Sequence, residues 1–376
     1  MNPASPSRHL ERIDVLRAMA ILMVVAFHYL PNVTGQYELN WQGMWRDGGD
    51  VQTSLMWWLY PLSLGWSGVS LFFVISGFCI HYSFLKHAAG SPGKSFLKQF
   101  FWKRFWRIYP PYFVALTVFF CLLLRHHVAG TTAGNYWSHL LLIHNFGPET
   151  FAGVNPSFWS LAVEMQFYLL FPLVLMLRQK VGIKNTFWFF AAASLLCRII
   201  ALFLQDWSQL PAQHLWDFTL TLFVDWLLGA WLAESWLAGH RLFGASFGKV
   251  LVLGILAVAL TWNKITAAFL GFTAFSLWYA VLMEWYLFSK LSFSRWERIL
   301  VPVGLCSYSI YLWHQPLLGR ALYWLHKLGL PQTLVATLAV LPVVVLVMCL
   351  FGFASYKFLE LPGINLGKRL LTKIRL

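Results

Sequence analysis

The chain has 376 residues, 59% of them hydrophobic and only 11% charged, less than half the roughly 25% charged content of a soluble domain. That excludes an ordinary water-soluble globule and predicts an all-α, polytopic integral membrane helical bundle. The 28 basic and 14 acidic residues give a net charge of +14, but the basic residues are scattered through short segments between apolar runs, which fits membrane topology and excludes a nucleic-acid partner.

Apolar windows of about 20 residues, enough to cross the hydrocarbon core, occur ten times. They lie at about 14–31, 60–82, 108–126, 157–177, 186–204, 217–237, 249–263, 265–288, 302–325 and 333–356. Arg8 and Arg12 ahead of the first run imitate a signal peptide, yet no small-x-small cleavage site follows and similar spans continue to the C-terminus. The seventh and eighth runs meet at a short joint, Trp262-Asn263-Lys264. With the N-terminus inside, Arg8, Arg12, Lys98, Lys103, Arg104, Arg107, Arg178, Lys180, Lys184, Lys368, Arg369 and Lys373 share the inner side with most other cations. Outside loops keep Arg46, Arg125, Lys264 and Lys327. Both termini are therefore expected in the cytoplasm. No linker is long enough for a second folded domain, so residues 1–376 read as one transmembrane domain. Cys79, Cys121, Cys197, Cys306 and Cys349 all fall inside apolar runs without close spacing, and neither a disulfide framework nor a metal site is expected.

The first span, "LRAMAILMVVAFHY", opens with Arg17 and nearly closes with His28. Eleven residues make about three helical turns, so both side chains leave on nearly one face, about 16 Å apart along the axis. Asp14 shares that face. Arg17 reads either as a snorkelling anchor or as a cation at a site, and His28 either as a hydrogen-bonded interfacial residue or as a base.

The segment "FWKRFWRIYPPYF" resembles a helix on the inner surface, ending where Pro110 and Pro111 open the third span. Its Arg104 and Arg107, at i and i+3, serve topology or clamp phosphate. The fourth span places Ser160, Glu164 and Tyr168 at i, i+4 and i+8. An intramembrane carboxylate is costly unless paired, protonated or facing water. The ninth span carries Ser307, Tyr311 and His314 on one stripe, together with Arg320. The second carries Ser67, Ser70 and Ser76 among Gly65, Gly68 and Gly77, a pattern that also serves close helix packing.

Taken in order, these motifs resemble the membrane acyltransferase 3 family, which includes bacterial O-acetylases of lipopolysaccharide, exopolysaccharide and other glycans. The resemblance is carried by Arg-x10-His (Arg17, His28), "GVSLFFVISGF", Arg-x-x-Arg (Arg104, Arg107), "FWSLAVEMQFYLLFP", and "SYSIYLWHQP" followed by "FLELP". It covers nearly the whole chain. Many relatives have Asp in place of Ser70 and a second Glu in place of Met165. Some append a soluble esterase-like domain, whereas this sequence ends at Leu376 and is expected to stand alone.

The resemblance implies transfer of an acyl group, usually acetyl, from cytoplasmic acyl-CoA to an acceptor hydroxyl, often on a sugar, with no bound cofactor. Donor phosphates are expected on Arg104, Arg107 and Arg17, with the thioester reaching inward toward His28. Imidazole suits the abstraction of a hydroxyl proton at neutral pH, so His28 is the expected base. Glu164, at similar depth, is expected to fix its tautomer and stabilise the imidazolium. Tyr311, His314 or Ser70 would support the oxyanion. An acyl-histidine route remains open beside direct transfer. A proton-coupled transporter of a small polar or anionic substrate is the competing class, although no inverted repeat or pair of matched broken helices is visible. Acceptor recognition is expected in the aromatic-rich outer loops, Pro31 to Tyr60 and His127 to Pro156, and the location in a bacterial inner membrane.

Overall fold

The computed structural model describes residues 6–34, 60–88, 94–206, 213–289, 292–329, 331 and 333–374; most of the predicted 31–60 loop lies outside the described residues. The principal helices are α1 (Pro6–Thr34), α2 (Gly68–Ala88), α3 (Lys94–Arg125), α4 (Ala133–Leu140), α5 (Trp159–Leu204), α6 (Thr219–Leu237), α7 (Phe247–Leu260), α8 (Lys264–Phe288), α9 (Arg295–Leu305), α10 (Ser307–Lys327), α11 (Leu341–Ser355) and α12 (Leu361–Ile374). No strand occurs among the described residues. Six stretches of them are long and apolar enough to cross a membrane: Tyr60–His87, Phe96–Arg125, Pro156–Leu204, Thr219–Leu237, Ile265–Phe288 and Leu341–Lys373. The chain divides into two compact units, Met1–Ile75 with Arg241–Phe353, and Ser76–His240 with Ala354–Leu376.

In the first unit α1 is the central element, packed by α8, α9, α10 and the turn Leu64–Ser67. Its small and branched residues Ala18, Ala20, Ile21 and Val24 are fully buried. Helix α9 comes so close that a Cβ on Gly304 would sit 1.8 Å from the carbonyl oxygen of Asp14, so the crossing requires glycine. Arg12 reaches the C-terminal end of α8, where Nη1 donates to the carbonyls of Tyr286 (2.7 Å) and Ser289 (2.8 Å), with Leu287 O at 3.3 Å. A cation there satisfies carbonyls that have no partner within the helix. The predicted joint between the seventh and eighth spans is an N-cap, Asn263 accepting from Ile265 N at 2.8 Å. The predicted ninth span differs: the chain breaks at Cys306, separating a short α9, with a Ser294–Glu297 capping box, from α10.

In the second unit α5 packs on α6 through an aromatic core of Phe167, Phe190, Phe223 and Trp226, with Phe223 and Trp226 stacked at 5.7 Å. The helical run Pro156–Leu204 has 49 residues, about 74 Å of helix against a hydrocarbon core of about 30 Å. It is broken at Gly182, with φ 81° and ψ 162°, a backbone conformation that only glycine adopts cheaply. The two halves match the fourth and fifth predicted spans. Conversely, the predicted surface segment and third span form one helix, α3, which runs through Pro110 and Pro111. Prolines remove the ladder donors to Trp106 O and Arg107 O, but neighbouring helices permit such interruptions in membrane helices. Helix α12 runs along this stretch, Trp102 Nε1 donating to Gly367 O at 2.8 Å.

Candidate functional site

In the first unit, the register of α1 and α10 brings His28 and His314 together from 286 residues apart, His314 Nε2 lying 3.2 Å from His28 Nδ1. The rings meet edge to face, with centroids 4.9 Å apart and planes at 66°. A carbonyl only accepts, so Val24 O, 2.9 Å from His28 Nδ1, places a proton on that nitrogen. By the same argument Tyr311 O, 2.7 Å away, places the His314 proton on Nδ1. His314 Nε2 is then an acceptor, His28 Nδ1–H is shared between Val24 O and His314, and the lone pair of His28 lies on Nε2. His314 is fully buried and His28 half-buried. The Tyr311 ring packs against His314 and against Phe72. Arg17 forms an i, i+3 ion pair with Asp14 at 2.9 Å, so part of its charge is already engaged. Ser70 is buried, and its hydroxyl has no partner among the described residues.

The second unit holds Glu164 in a chain of side-chain hydrogen bonds. Its Oε1 accepts from Ser76 Oγ at 2.7 Å and from Tyr168 OH at 2.5 Å, while Trp226 Nε1 donates to Ser76 Oγ at 3.3 Å. Two hydroxyl donors on one oxygen suit an ionised carboxylate, and Oε2 is left outside these bonds. The guanidinium of Arg104 lies over the Tyr168 ring, 5.5 Å from its centroid. The predicted stripe therefore exists as a bonded pair one turn apart, extended by Ser76 of α2.

Arg104 and Arg107 line one pocket between α2, α3 and α12, with a volume of about 270 Å³. Lys103, Lys368 and His87 add to its basic rim, and Phe96, Phe100 and Trp106 supply aromatic faces. Arg107 Nε lies 3.4 Å from Oε1 of Glu360, a fully buried carboxylate in the wide turn Tyr356–Glu360 that leads into α12.

Sequence reasoning did not single out Glu360, although it sits in the quoted "FLELP". It also passed over a cluster in the same unit, where His81 Nε2 and Glu234 Oε1 are 2.8 Å apart and Arg178 Nε donates to the same oxygen. The available signal was an ionisable residue inside an apolar run, the criterion that found Glu164.

The segment His127 to Pro156 is tied down by Tyr112 OH to His139 O (2.7 Å), Tyr109 OH to Leu140 O (3.0 Å) and Gln166 Nε2 to Leu142 O (2.8 Å). In it His139 and His144 stack with ring centroids 3.8 Å apart, both fully buried. Burial lowers His139 to about 4. Burial, with repulsion from His139, holds His144 well below the ordinary histidine range.

A family model for an acyltransferase domain matches residues 10–353. The chain is 31% identical over 147 residues to the acyltransferase MdmB of Streptomyces mycarofaciens, covering 37% of this chain and 36% of that protein. It is 26% identical over 403 residues to YrhL of Bacillus subtilis, named as a candidate peptidoglycan O-acetyltransferase, covering 97% of this chain and 56% of YrhL. It is 29% identical over 193 residues to the peptidoglycan O-acetyltransferase OatA of Listeria monocytogenes, covering 47% and 26%. The matches thus span from about a quarter to just over half of these relatives' own lengths. No solved structure matches significantly. Helices fit for a membrane, the five motifs in order and a match over residues 10–353 make the chain a member of the membrane acyltransferase 3 family.

Proposed function

We propose that the protein transfers an acyl group, acetyl in the first instance, from cytoplasmic acyl-CoA to a hydroxyl of a glycan or glycolipid at the outer face of a bacterial inner membrane. The observation that carries this reading is the pocket of α2, α3 and α12. Cations at its wall and rim, beside three aromatic faces, suit the phosphates and base of a nucleotide-bearing donor. Arg104 and Arg107 are assigned the donor phosphates, and Arg17 an auxiliary part that its pairing with Asp14 reduces.

His28 is the assigned base. Its Nε2 lone pair takes the acceptor hydroxyl proton as the new C–O bond forms, and the imidazolium returns that proton to the CoA thiolate as the C–S bond breaks. Glu164, held as a carboxylate by Ser76 and Tyr168, is the second ionisable group of the reaction. Tyr311 and Ser70 are the proposed oxyanion supports. Ten crossings are proposed: α1, α2, α3, the two halves of α5, α6, α7, α8, α10 and α11. They place both termini in the cytoplasm, a choice supported by the distribution of Lys and Arg.

The test is transfer by purified protein in detergent from radiolabelled acetyl-CoA to a panel of bacterial glycans. Wild-type transfer that is lost in His28→Ala, with fold and donor binding intact, supports the reading. Uptake of labelled acceptor into vesicles without acylation replaces it with transport.

A further inference from the structure

We propose that His314 is a positioning residue for His28: its Nε2 lone pair accepts the His28 Nδ1–H, holds the ring, and stabilises the imidazolium formed when Nε2 takes a proton. This rests on the reading of His28 as the base. The geometry that carries it is the ordered pair of bonds, His314 Nδ1–H to Tyr311 O (2.7 Å) and His28 Nδ1–H shared between Val24 O (2.9 Å) and His314 Nε2 (3.2 Å).

The backbone carbonyl of Tyr311 does for His314 what a second orienting group does in a hydrolase triad: it decides which nitrogen keeps the proton. A neutral imidazole then stands where such triads place a carboxylate. The substitution suits a buried site, because an ionised acceptor there would need its own partners, whereas a neutral ring accepts without that desolvation cost. It also gives His314 a different part from oxyanion support. In this tautomer its single N–H is committed to Tyr311 O, so it has no donor for a developing oxyanion. The orienting function that the sequence assigned to Glu164 passes to a residue bonded to His28 inside the same unit, while Glu164 keeps partners of its own.

The experiment compares wild type, His28→Ala, His314→Phe and His314→Gln as full-length protein in detergent. The assays are acetyl transfer from acetyl-CoA across pH and ¹⁵N-histidine spectra of the wild type. Phenylalanine keeps a ring without an acceptor; glutamine sets a carbonyl oxygen near the place of Nε2. His314→Phe is expected to lower kcat about 100-fold, with KM for donor changed less than about threefold. The acid limb of its pH profile should move up to about one unit lower, since a base left with only one of its two acceptors, Val24 O, is weaker. His314→Gln should recover most of the rate and the wild-type limb. A purely structural part for His314 would lower yield or melting temperature and leave the limb where it was. Even if the Phe variant does not fold, the wild-type spectrum still decides: a protonated His314 Nε2 at neutral pH overturns the assignment. Transfer abolished in His28→Ala but unchanged in His314→Phe overturns it alone. Transfer that survives His28→Ala removes the base reading and this assignment together.

Discussion

Glu360 is fully buried, and its Oε1 lies 3.4 Å from Nε of Arg107 in the wall of the proposed donor pocket. The pair joins the turn before α12 to α3 and aims one arginine of the Arg-x-x-Arg motif. Breaking a fully buried pair costs about 3–5 kcal/mol. Arg107 keeps 35% exposure, so solvent screening reduces the loss to about 1–3 kcal/mol. Glu360→Ala is therefore expected to lower the melting temperature by several degrees and raise KM for acetyl-CoA, with kcat less affected. An unchanged KM would remove Glu360 from donor binding.

Arg104, Arg17 and Lys368 should separate by magnitude. One charge-assisted hydrogen bond to a phosphate is worth about 1.5–3 kcal/mol, so Arg104→Ala should raise KM for acetyl-CoA by tenfold or more. Arg17→Ala should have a smaller effect, because Asp14 already engages that guanidinium. Lys368→Ala, at the exposed rim, is expected to change KM only a few-fold and mostly at low salt. Steady-state kinetics at two ionic strengths would rank all three.

Gly304→Ala tests the crossing of α1 and α9. Its Cβ would lie 1.8 Å from Asp14 O, so the helices must part, at about 1–3 kcal/mol or more. Gly319→Ala is the control, since nothing lies within 4 Å of a Cβ at that position; its effect should stay within about 0.5 kcal/mol. Thermal unfolding in detergent measures both.

The stacked pair His139 and His144 predicts acid sensitivity confined to the segment His127 to Pro156. Each ring takes up its proton near 6.5 when unfolded, but His139 does so only near 4 when folded, and burial with repulsion from His139 holds His144 well below its ordinary range. Between those values the unfolded segment binds more protons. The stabilisation is therefore complete above about pH 6.5 and is lost as pH falls toward 4. Hydrogen exchange over residues 135–158, corrected for intrinsic rate, should lose protection about tenfold per pH unit for each titrating ring, while α3 stays flat. His144→Phe keeps the stack and should reduce the slope.

Much of the lower-level structure was legible in the sequence because it is local. Hydropathy located the long apolar helices, and spacing put Glu164 and Tyr168 one turn apart, where they bond. Arg104 and Arg107 likewise share a wall because i and i+3 share a face. What escaped was long-range or set by partner helices. No periodicity reports that residue 28 meets residue 314, or that Glu360 reaches Arg107. The paired prolines read as the start of a span because proline usually ends a helix, yet α3 continues through them. The continuous run 302–325 hid the break at Cys306, which lets α9 turn its Gly304 toward α1.

Arg12 holds carbonyls that lie 274 to 277 residues further along the chain. As the polypeptide emerges in order, α1 is made early while the acceptors that satisfy its guanidinium are still unwritten. The first helix therefore reaches its final anchorage only after α8 has been synthesised, so a nascent chain arrested before residue 286 lacks this clasp however well its opening helix has inserted. Arg12→Lys would preserve the charge that topology counts but carry it on a shorter side chain, so the reach to the carbonyls that Nη1 holds should weaken.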